Sequence, residues 1–333
     1  MVRILLVGAG AFGRVHAASL ARLGIAPIVF DPDPAARGAL PGLAFVETLD
    51  AGLAACDAAI VATPPATHAA IAAAVLRAGR DLFLEKPATE TAADSADLAR
   101  IAGETGRIAQ VGLYFRFHPK AQALHRLIRE GAFGALFYLS ARMSGLKRAR
   151  ADSGALFNDA VHFADLIPWL AGEAPSRVFA VLGDPLGRGR EDLAVLQLLF
   201  PSGATALIEA GCVMAGEHED AVVPGAETRK LLAVSGRDAL AEIDFAAERF
   251  FIRHGRHTPQ GGGMWMPGHA PRADQQLASL DPVGVVAAQL VAFLDAIATR
   301  QPRGPGLIDG GVAPLRILEA ARRSAREGCA VEP

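Results

Sequence analysis

Short, almost wholly apolar runs recur through the first 120 or so residues, at Val2–Val7, Ile28–Phe30, Ala58–Ala62, Leu82–Leu84 and Ile108–Val111. Runs with so few polar positions predict strands buried on both faces, as in a parallel sheet covered by helices. Between them, helix-period patterns predict helices near Arg14–Leu23, Thr67–Ala78 and Ala92–Thr105, the second capped by Thr67 and stopped by Gly79. Strand alternating with helix demands right-handed crossovers and therefore an α/β, doubly wound parallel sheet.

The rhythm changes after Pro119. A helix near Lys120–Glu130 precedes a strand at Leu136–Met143, and a shorter helix follows near Asn158–Leu170. Strands then succeed one another with only turns between, at Arg177–Leu182, Ala194–Phe200, Ala204–Ala210, Lys230–Ser235 and Ala239–Asp244. The turns Pro201-Ser202-Gly203 and Gly236-Arg237-Asp238 predict hairpins, and hence a large, mostly antiparallel sheet in an α+β second domain. The Gly- and Pro-rich stretch Thr258–Arg272 reads as a loop, and helices near Val283–Ala298 and Ala313–Arg326 complete the pattern. Two domains are expected, 1–119 and 120–333, each long enough to bury its own core.

Composition narrows the class of protein. The formal net charge is −2, which offers nucleic acid no electrostatic attraction. Cys56, Cys212 and Cys329 lie far apart with no CxxC pair, matching neither a metal site nor a disulfide framework, so a cytoplasmic protein without a metal is expected. The apolar start at Val2–Val7 is too short for a signal-peptide core, and charged residues, Gly or Pro break the other apolar runs before membrane-spanning length.

Candidate chemistry begins with Gly8-Ala9-Gly10-Ala11-Phe12-Gly13, which directly follows the first strand and opens a helix. Gly8 permits the tight turn, Gly10 lets the backbone approach a pyrophosphate, and Gly13 lets helix and strand pack closely. The amides at the helix start meet that pyrophosphate with the favourable end of the helix dipole. Asp31 stands 21 positions after Gly10, where its carboxylate accepts from adenosine ribose hydroxyls and repels a 2′-phosphate. The pattern therefore points to a Rossmann domain binding NAD rather than NADP.

Ala62-Thr63-Pro64-Pro65-Ala66-Thr67-His68 and Leu84-Glu85-Lys86-Pro87, taken with the glycine turn, resemble the glucose-fructose oxidoreductase, inositol dehydrogenase and rhizopine-catabolism (Gfo/Idh/MocA) family over nearly the whole chain. The resemblance implies a Rossmann domain joined to an α/β domain whose open sheet serves oligomerisation, giving a homodimer or homotetramer. It also implies that Lys86 sits beside the nicotinamide and the substrate hydroxyl. Thr63, Pro64 and His68 then line the cofactor, and Glu85 lies near the nicotinamide ribose. Oxidising a secondary alcohol removes a hydride and a proton together, so an ammonium near the oxygen and a neighbouring base are what the chemistry needs.

The family's second motif, Asp-x-x-x-His, falls on Asn158-Asp159-Ala160-Val161-His162. His162 matches the family's histidine, the candidate general base, whose ordinary pKa leaves it largely able to accept a proton at neutral pH. The family's aspartate falls on Asn158, which carries no charge, and Asp159 is rotated from it by about 100° on a regular helix. Asn158 and Asp159 are thus expected to contact the substrate while Lys86 and His162 form the catalytic pair.

The stretch around His162 is similar to nucleotide-sugar dehydrogenases, in particular to the branch that oxidises the C3 hydroxyl of UDP-N-acetylglucosamine to the 3-keto sugar. Arg142, Lys147, Arg148 and Arg150 precede it with no acid before Asp152, the charge a diphosphate needs. Tyr114 and Arg116, on the chain leaving the first domain, complete the expected substrate contacts. Two alternatives stand beside this one: a dehydrogenase of a free sugar or polyol such as inositol, and a non-catalytic NAD-binding regulator.

Overall fold

The computed structural model describes residues 2–333; Met1, where the first expected domain begins, lies outside them. The described chain divides into two compact units. One comprises the residues up to Phe117 together with Leu280–Arg316, and the other His118–Ser279 with Ile317–Pro333.

In the first unit the chain alternates β1 (Ile4–Val7), α1 (Ala11–Arg22), β2 (Ile28–Phe30), α2 (Ala36–Ala39), β3 (Ala44–Phe45), α3 (Leu49–Ala55), β4 (Ala58–Val61), α4 (Pro65–Arg77), β5 (Asp81–Leu84), α5 (Ala92–Thr105) and β6 (Ala109–Val111). The strands pair in parallel in the order β3-β2-β1-β4-β5-β6, which is the dinucleotide-binding order with its reversal between β1 and β4. Strands β1, β4 and β5 are buried at every position, as their apolar runs predicted. The two-residue β3 and the short α3, capped by Thr48 accepting from the Ala51 amide, escape the apolar pattern because neither carries enough residues to show a period. Helix α4 starts at Pro65 rather than after Thr67, because proline suits the first helical position. The Thr67 hydroxyl donates to the Pro64 carbonyl instead of capping.

In the second unit, α6 (Pro119–Arg129) and β7 (Leu136–Ser144) lead to a π-helical turn at Leu156–Ala160 that runs into α7 (Val161–Ala171). Strands β8 (Arg177–Gly183), β9 (Leu193–Leu199), β10 (Thr205–Gly211), β11 (His218–Glu219), β12 (Glu227–Gly236), β13 (Ala239–Asp244), β14 (Arg249–Pro259), β15 (Trp265–His269) and β16 (Ala273–Asp274) complete a mixed sheet. Its spine runs β15-β14-β13-β12-β7-β10-β9-β8, antiparallel except where β7 and β10 pair in parallel. Both expected hairpins form, β9 with β10 and β12 with β13.

Further sequence expectations need correction. The stretch Thr258–Arg272 is not a loop: β14 and β15 pair from Gly255 opposite His269 to Pro259 opposite Trp265, turning at Gly262 and Gly263 with positive φ. All five residues of β15 are exposed, so the hairpin lacks the alternating apolar signal that marks a half-buried strand, and only its backbone ladder reveals it. The second correction concerns the segment 280–316. Helix α8 (Pro282–Thr299) packs on α1 and on the first unit's sheet, through Val286, Leu290 and Phe293 against Leu6, Ile60 and Phe83. Those three side chains follow an i, i+4, i+7 stripe, and the stripe covers sheet side chains that would otherwise meet water. With a mean hydropathy of 1.7 over 18 residues, α8 does reach membrane-crossing length, against the expectation that every such run is broken earlier; its apolar stripe is here spent on the sheet. The final helix, α9 (Val312–Glu327), contains the division at Arg316.

Candidate active site

Three adjacent strands, β1, β4 and β5, end at the same edge of the first unit, and each hands over to candidate residues. After β1, Gly8 takes φ +99°, and a Cβ there would stand 2.6 Å from the Ala62 carbonyl oxygen. A Cβ on Gly13 would stand 2.1 Å from the Gly8 carbonyl oxygen, so strand and helix touch backbone to backbone. Gly10 differs: a Cβ there would meet nothing within 4 Å. The turn is closed on the protein side and open on the other. Helix α1 begins at Ala11 with no side chain capping it, which leaves its first amides to a ligand.

Asp31, at the end of β2, accepts from the Ala9 amide at 2.7 Å and from the Asp33 amide at 2.9 Å. Its negative charge is thereby tied to the glycine turn. An anion cradle of open backbone amides with a carboxylate at one end fits NAD: Gly8, Gly10, Ala11, Phe12 and Gly13 would hold the pyrophosphate, and Asp31 the ribose.

After β4 come Thr63 and Pro64, and after β5 come Glu85, Lys86 and Pro87, with a cis Lys86–Pro87 peptide. Glu85 is buried; it receives the His16 imidazole at 2.8 Å on one oxygen and the Lys86 amide at 3.1 Å on the other. His68 corrects a sequence expectation. It is 1% exposed, and its ring nitrogens face the carbonyl oxygens of Pro87 at 2.9 Å and Thr63 at 2.8 Å. Both ring nitrogens face backbone carbonyls, so His68 braces the segments that follow β4 and β5 and has no polar atom left for a cofactor. Burial pushes its pKa below the ordinary 6.5, partly opposed by those carbonyls and by the Glu85 charge. His16 has no counterpart among the sequence candidates, since one histidine within a helix carries no spacing signal. Tyr114 and Arg116 lie on the 3₁₀ turn after β6, where the Arg116 guanidinium donates to the Pro305 carbonyl at 3.1 Å.

In the second unit the structure gathers Lys147, Asn158 and Asp159. One oxygen of Asp159, which is 2% exposed, accepts from the Lys147 ammonium at 2.8 Å and from the Asn158 amide at 3.0 Å. At position 158, where the resemblance implies an aspartate, the amide of Asn158 is hydrogen-bonded to the neighbouring carboxylate. The π-helical turn holds both residues, and His162 follows within α7, half-buried. The basic stretch is largely neutralised. Arg142 forms a bidentate pair with Glu209, Lys147 pairs with Asp159, and Arg150 pairs with Asp152 at 2.5 Å. Arg148 is exposed and makes no ion pair among the described residues. Among the described residues no group of His, Cys, Asp and Glu could hold a metal ion. A cleft of about 250 Å³ lined by Ile128, Arg129, Leu136 and Leu170 contains none of the candidate residues.

Comparison with known proteins decides the family. Residues 2–113 match the oxidoreductase family with an NAD-binding Rossmann fold, and residues 121–229 match the GFO/IDH/MocA C-terminal domain. The chain belongs to the Gfo/Idh/MocA family. A relative over nearly its full length is the UDP-N-acetylglucosamine 3-dehydrogenase of Acidithiobacillus ferrooxidans, 30% identical over 95% of this chain and 94% of the relative. Inositol 2-dehydrogenase of Rhizobium meliloti is 33% identical, over 54% of this chain and 58% of its own. The solved structure of the A. ferrooxidans enzyme GnnA superposes with a TM-score of 0.80 at 28% identity, over 98% of this chain and 96% of that one. This Gfo/Idh/MocA chain is thus an oxidoreductase whose first unit is an NAD-binding Rossmann domain.

Proposed function

We propose that the protein oxidises a secondary hydroxyl of a nucleotide sugar, the C3 hydroxyl of UDP-N-acetylglucosamine, with NAD. The observation that carries the substrate is the end-to-end sequence likeness to the A. ferrooxidans 3-dehydrogenase, against a sequence likeness of about half the length to inositol 2-dehydrogenase of Rhizobium meliloti. Bound NAD supplies the hydride acceptor. Lys86, following β5, offers its ammonium to the hydroxyl oxygen and favours the developing alkoxide. His162 takes the hydroxyl proton, so one hydride and one proton leave the alcohol and a ketone remains. Asn158 and Asp159, with Lys147 held against them, contact the sugar, and Tyr114 and Arg116 stand on the segment leaving the first unit.

One observation favours a free sugar or polyol. With Arg142, Lys147 and Arg150 already paired to carboxylates, Arg148 alone of the four cations is left for a diphosphate. A screen of UDP-sugars, free N-acetylglucosamine and inositol, followed at the NADH absorbance, separates the two. Turnover of UDP-N-acetylglucosamine without turnover of the free sugar supports the first reading; equal turnover of both, or turnover of inositol alone, supports the second.

We also propose that the protein assembles as a dimer or tetramer through the open face of its second sheet. Strand register places Tyr138, Phe179, Val181 and Leu240 on one face, and all four are substantially exposed. Light scattering across a concentration series tests it, and a monomer throughout would refute it.

A further inference from the structure

Lys86 is flanked on both sides by buried histidines that the proposed chemistry does not use. His16, in α1, is 0% exposed and contacts the Glu85 carboxylate at 2.8 Å, with the rings of Phe12 and Phe83 edge-on around it. The other Glu85 oxygen accepts from the amide of Lys86 itself. The seat of that carboxylate is narrow: a Cβ on Gly112 would stand 2.9 Å from Glu85 Oε1. On the far side of Lys86, His68 in α4 reaches the Pro87 carbonyl and also the Thr63 carbonyl at the end of β4.

Burying an imidazole is costly unless its nitrogens are used, and an apolar side chain of similar volume would fill either place without that cost. Both rings are spent on the residues immediately before and after Lys86. His16 Nδ1 has no partner among the described residues, so a proton there would be buried and unpaired. The tautomer that carries its proton on Nε2 and donates it to Glu85 avoids that cost. His68 faces two acceptors, and its neutral ring, which burial favours, donates to one of them; the tautomer protonated on Nδ1 donates to the Pro87 carbonyl.

We propose that His16 and His68 are positioning residues that grip the Glu85-Lys86-Pro87 turn from its two sides, fixing where β5 presents the Lys86 ammonium. Neither histidine touches substrate. The effect on turnover rests on the role proposed above for Lys86, whereas the grip itself does not. Its origin is geometric: one bond precedes Lys86, one follows it, and the two anchors sit on different helices. A displacement of about 1 Å at a reacting group lowers turnover by about a hundredfold, so looser presentation is readily measured.

The test reads Lys86 directly, without substrate. The chain has four lysines, Lys86, Lys120, Lys147 and Lys230, so ε-¹³C-lysine spectra are simple, and Lys86→Arg assigns the signal of interest. Titration of that signal is compared in wild type, His16→Leu, His68→Leu, His16→Gln and His68→Gln. The leucine variants are expected to move the Lys86 midpoint by about half a pH unit or more and to lower kcat about tenfold or more, with NAD affinity changed less than about threefold. Glutamine keeps an N–H donor and is expected to recover a good part of the shift. Folded leucine variants with Lys86 midpoint and kcat unchanged overturn the proposal. Should a leucine variant not fold, the wild-type ring-nitrogen spectrum decides, because a His16 proton on Nδ1 rather than Nε2 is incompatible with the grip. A Lys86 midpoint that shifts in a protein oxidising none of the sugars retains the grip and refutes the proposed function. An unmoved midpoint in an enzyme with full turnover does the reverse.

Discussion

Replacing Gly10 by alanine isolates the ligand side of the glycine turn. The added methyl meets no protein atom within 4 Å, and Gly10 has φ −64° and ψ −169°, a conformation open to alanine. Two small effects then oppose each other. Alanine restricts the unfolded chain, which stabilises by about 0.4–1 kcal/mol. It is also a poorer helix N-cap than glycine, which costs a similar amount, about 0.5–1 kcal/mol. The ligand-free protein is therefore expected to melt within about 2 °C of wild type. The same methyl occupies the open side of the cradle and holds the pyrophosphate off the α1 amides. Losing about 2 kcal/mol there weakens NAD binding roughly thirtyfold. Gly13→Ala is the control. Its methyl would stand 2.1 Å from the Gly8 carbonyl oxygen, and backbone atoms cannot swing aside. Overpacking of about 1–3 kcal/mol, less about 1 kcal/mol of helix propensity, leaves it less stable by up to about 2 kcal/mol without any ligand. Thermal unfolding with and without NAD measures both effects, since a ligand at about 100 times its Kd adds about 2.7 kcal/mol. A Gly10→Ala protein that keeps the wild-type NAD shift would refute the placement of the pyrophosphate.

Four further outcomes follow from the same geometry. Asp31→Ala removes both the repulsion of a 2′-phosphate and the anchor of the Ala9 amide, so the ratio of NADP to NAD affinity rises about tenfold by direct titration; an unchanged ratio contradicts the role of Asp31. Lys86→Met lowers kcat about 10²–10³-fold with NAD affinity nearly intact, and an active Lys86→Met enzyme removes Lys86 from the chemistry. Arg148→Ala raises KM for UDP-N-acetylglucosamine about tenfold if that cation meets a phosphate, and leaves KM for a free sugar unchanged. His68 has a folded pKa below 6.5, so the fold favours its neutral ring. Its stabilisation is present above pH 6.5 and is lost as pH falls through the folded value. Between pH 7.5 and 5 the wild-type melting temperature should therefore fall more steeply than that of His68→Gln, and parallel curves would refute the shift.

The glycine turn, the strands feeding it and Asp31 were legible in the sequence because each is set by local chemistry. A wholly apolar run marks a doubly covered strand, and close approach to backbone tolerates only glycine. Lys86 and the Asn158–His162 stretch were legible through resemblance, a different kind of information. Sequence spacing could not assign α8 to the first unit, because an apolar stripe says that a helix is covered without saying by what; the sheet face of Leu6, Ile60 and Phe83, which α8 buries, decides that. Nor could a count of charges show that Arg142, Lys147 and Arg150 are paired, since Glu209 is 67 residues from Arg142 and meets it only through the β7–β10 register. The β14–β15 hairpin had no apolar alternation to betray it. His16 was silent for a similar reason: only the packing of α1 brings its ring to Glu85, 69 residues away. What the chain determined by itself was the local conformation its side chains allow and the chemistry they carry. The fold decided which of those side chains meet, because contact across tens of residues is settled by burial and register, and neither is written at any single position.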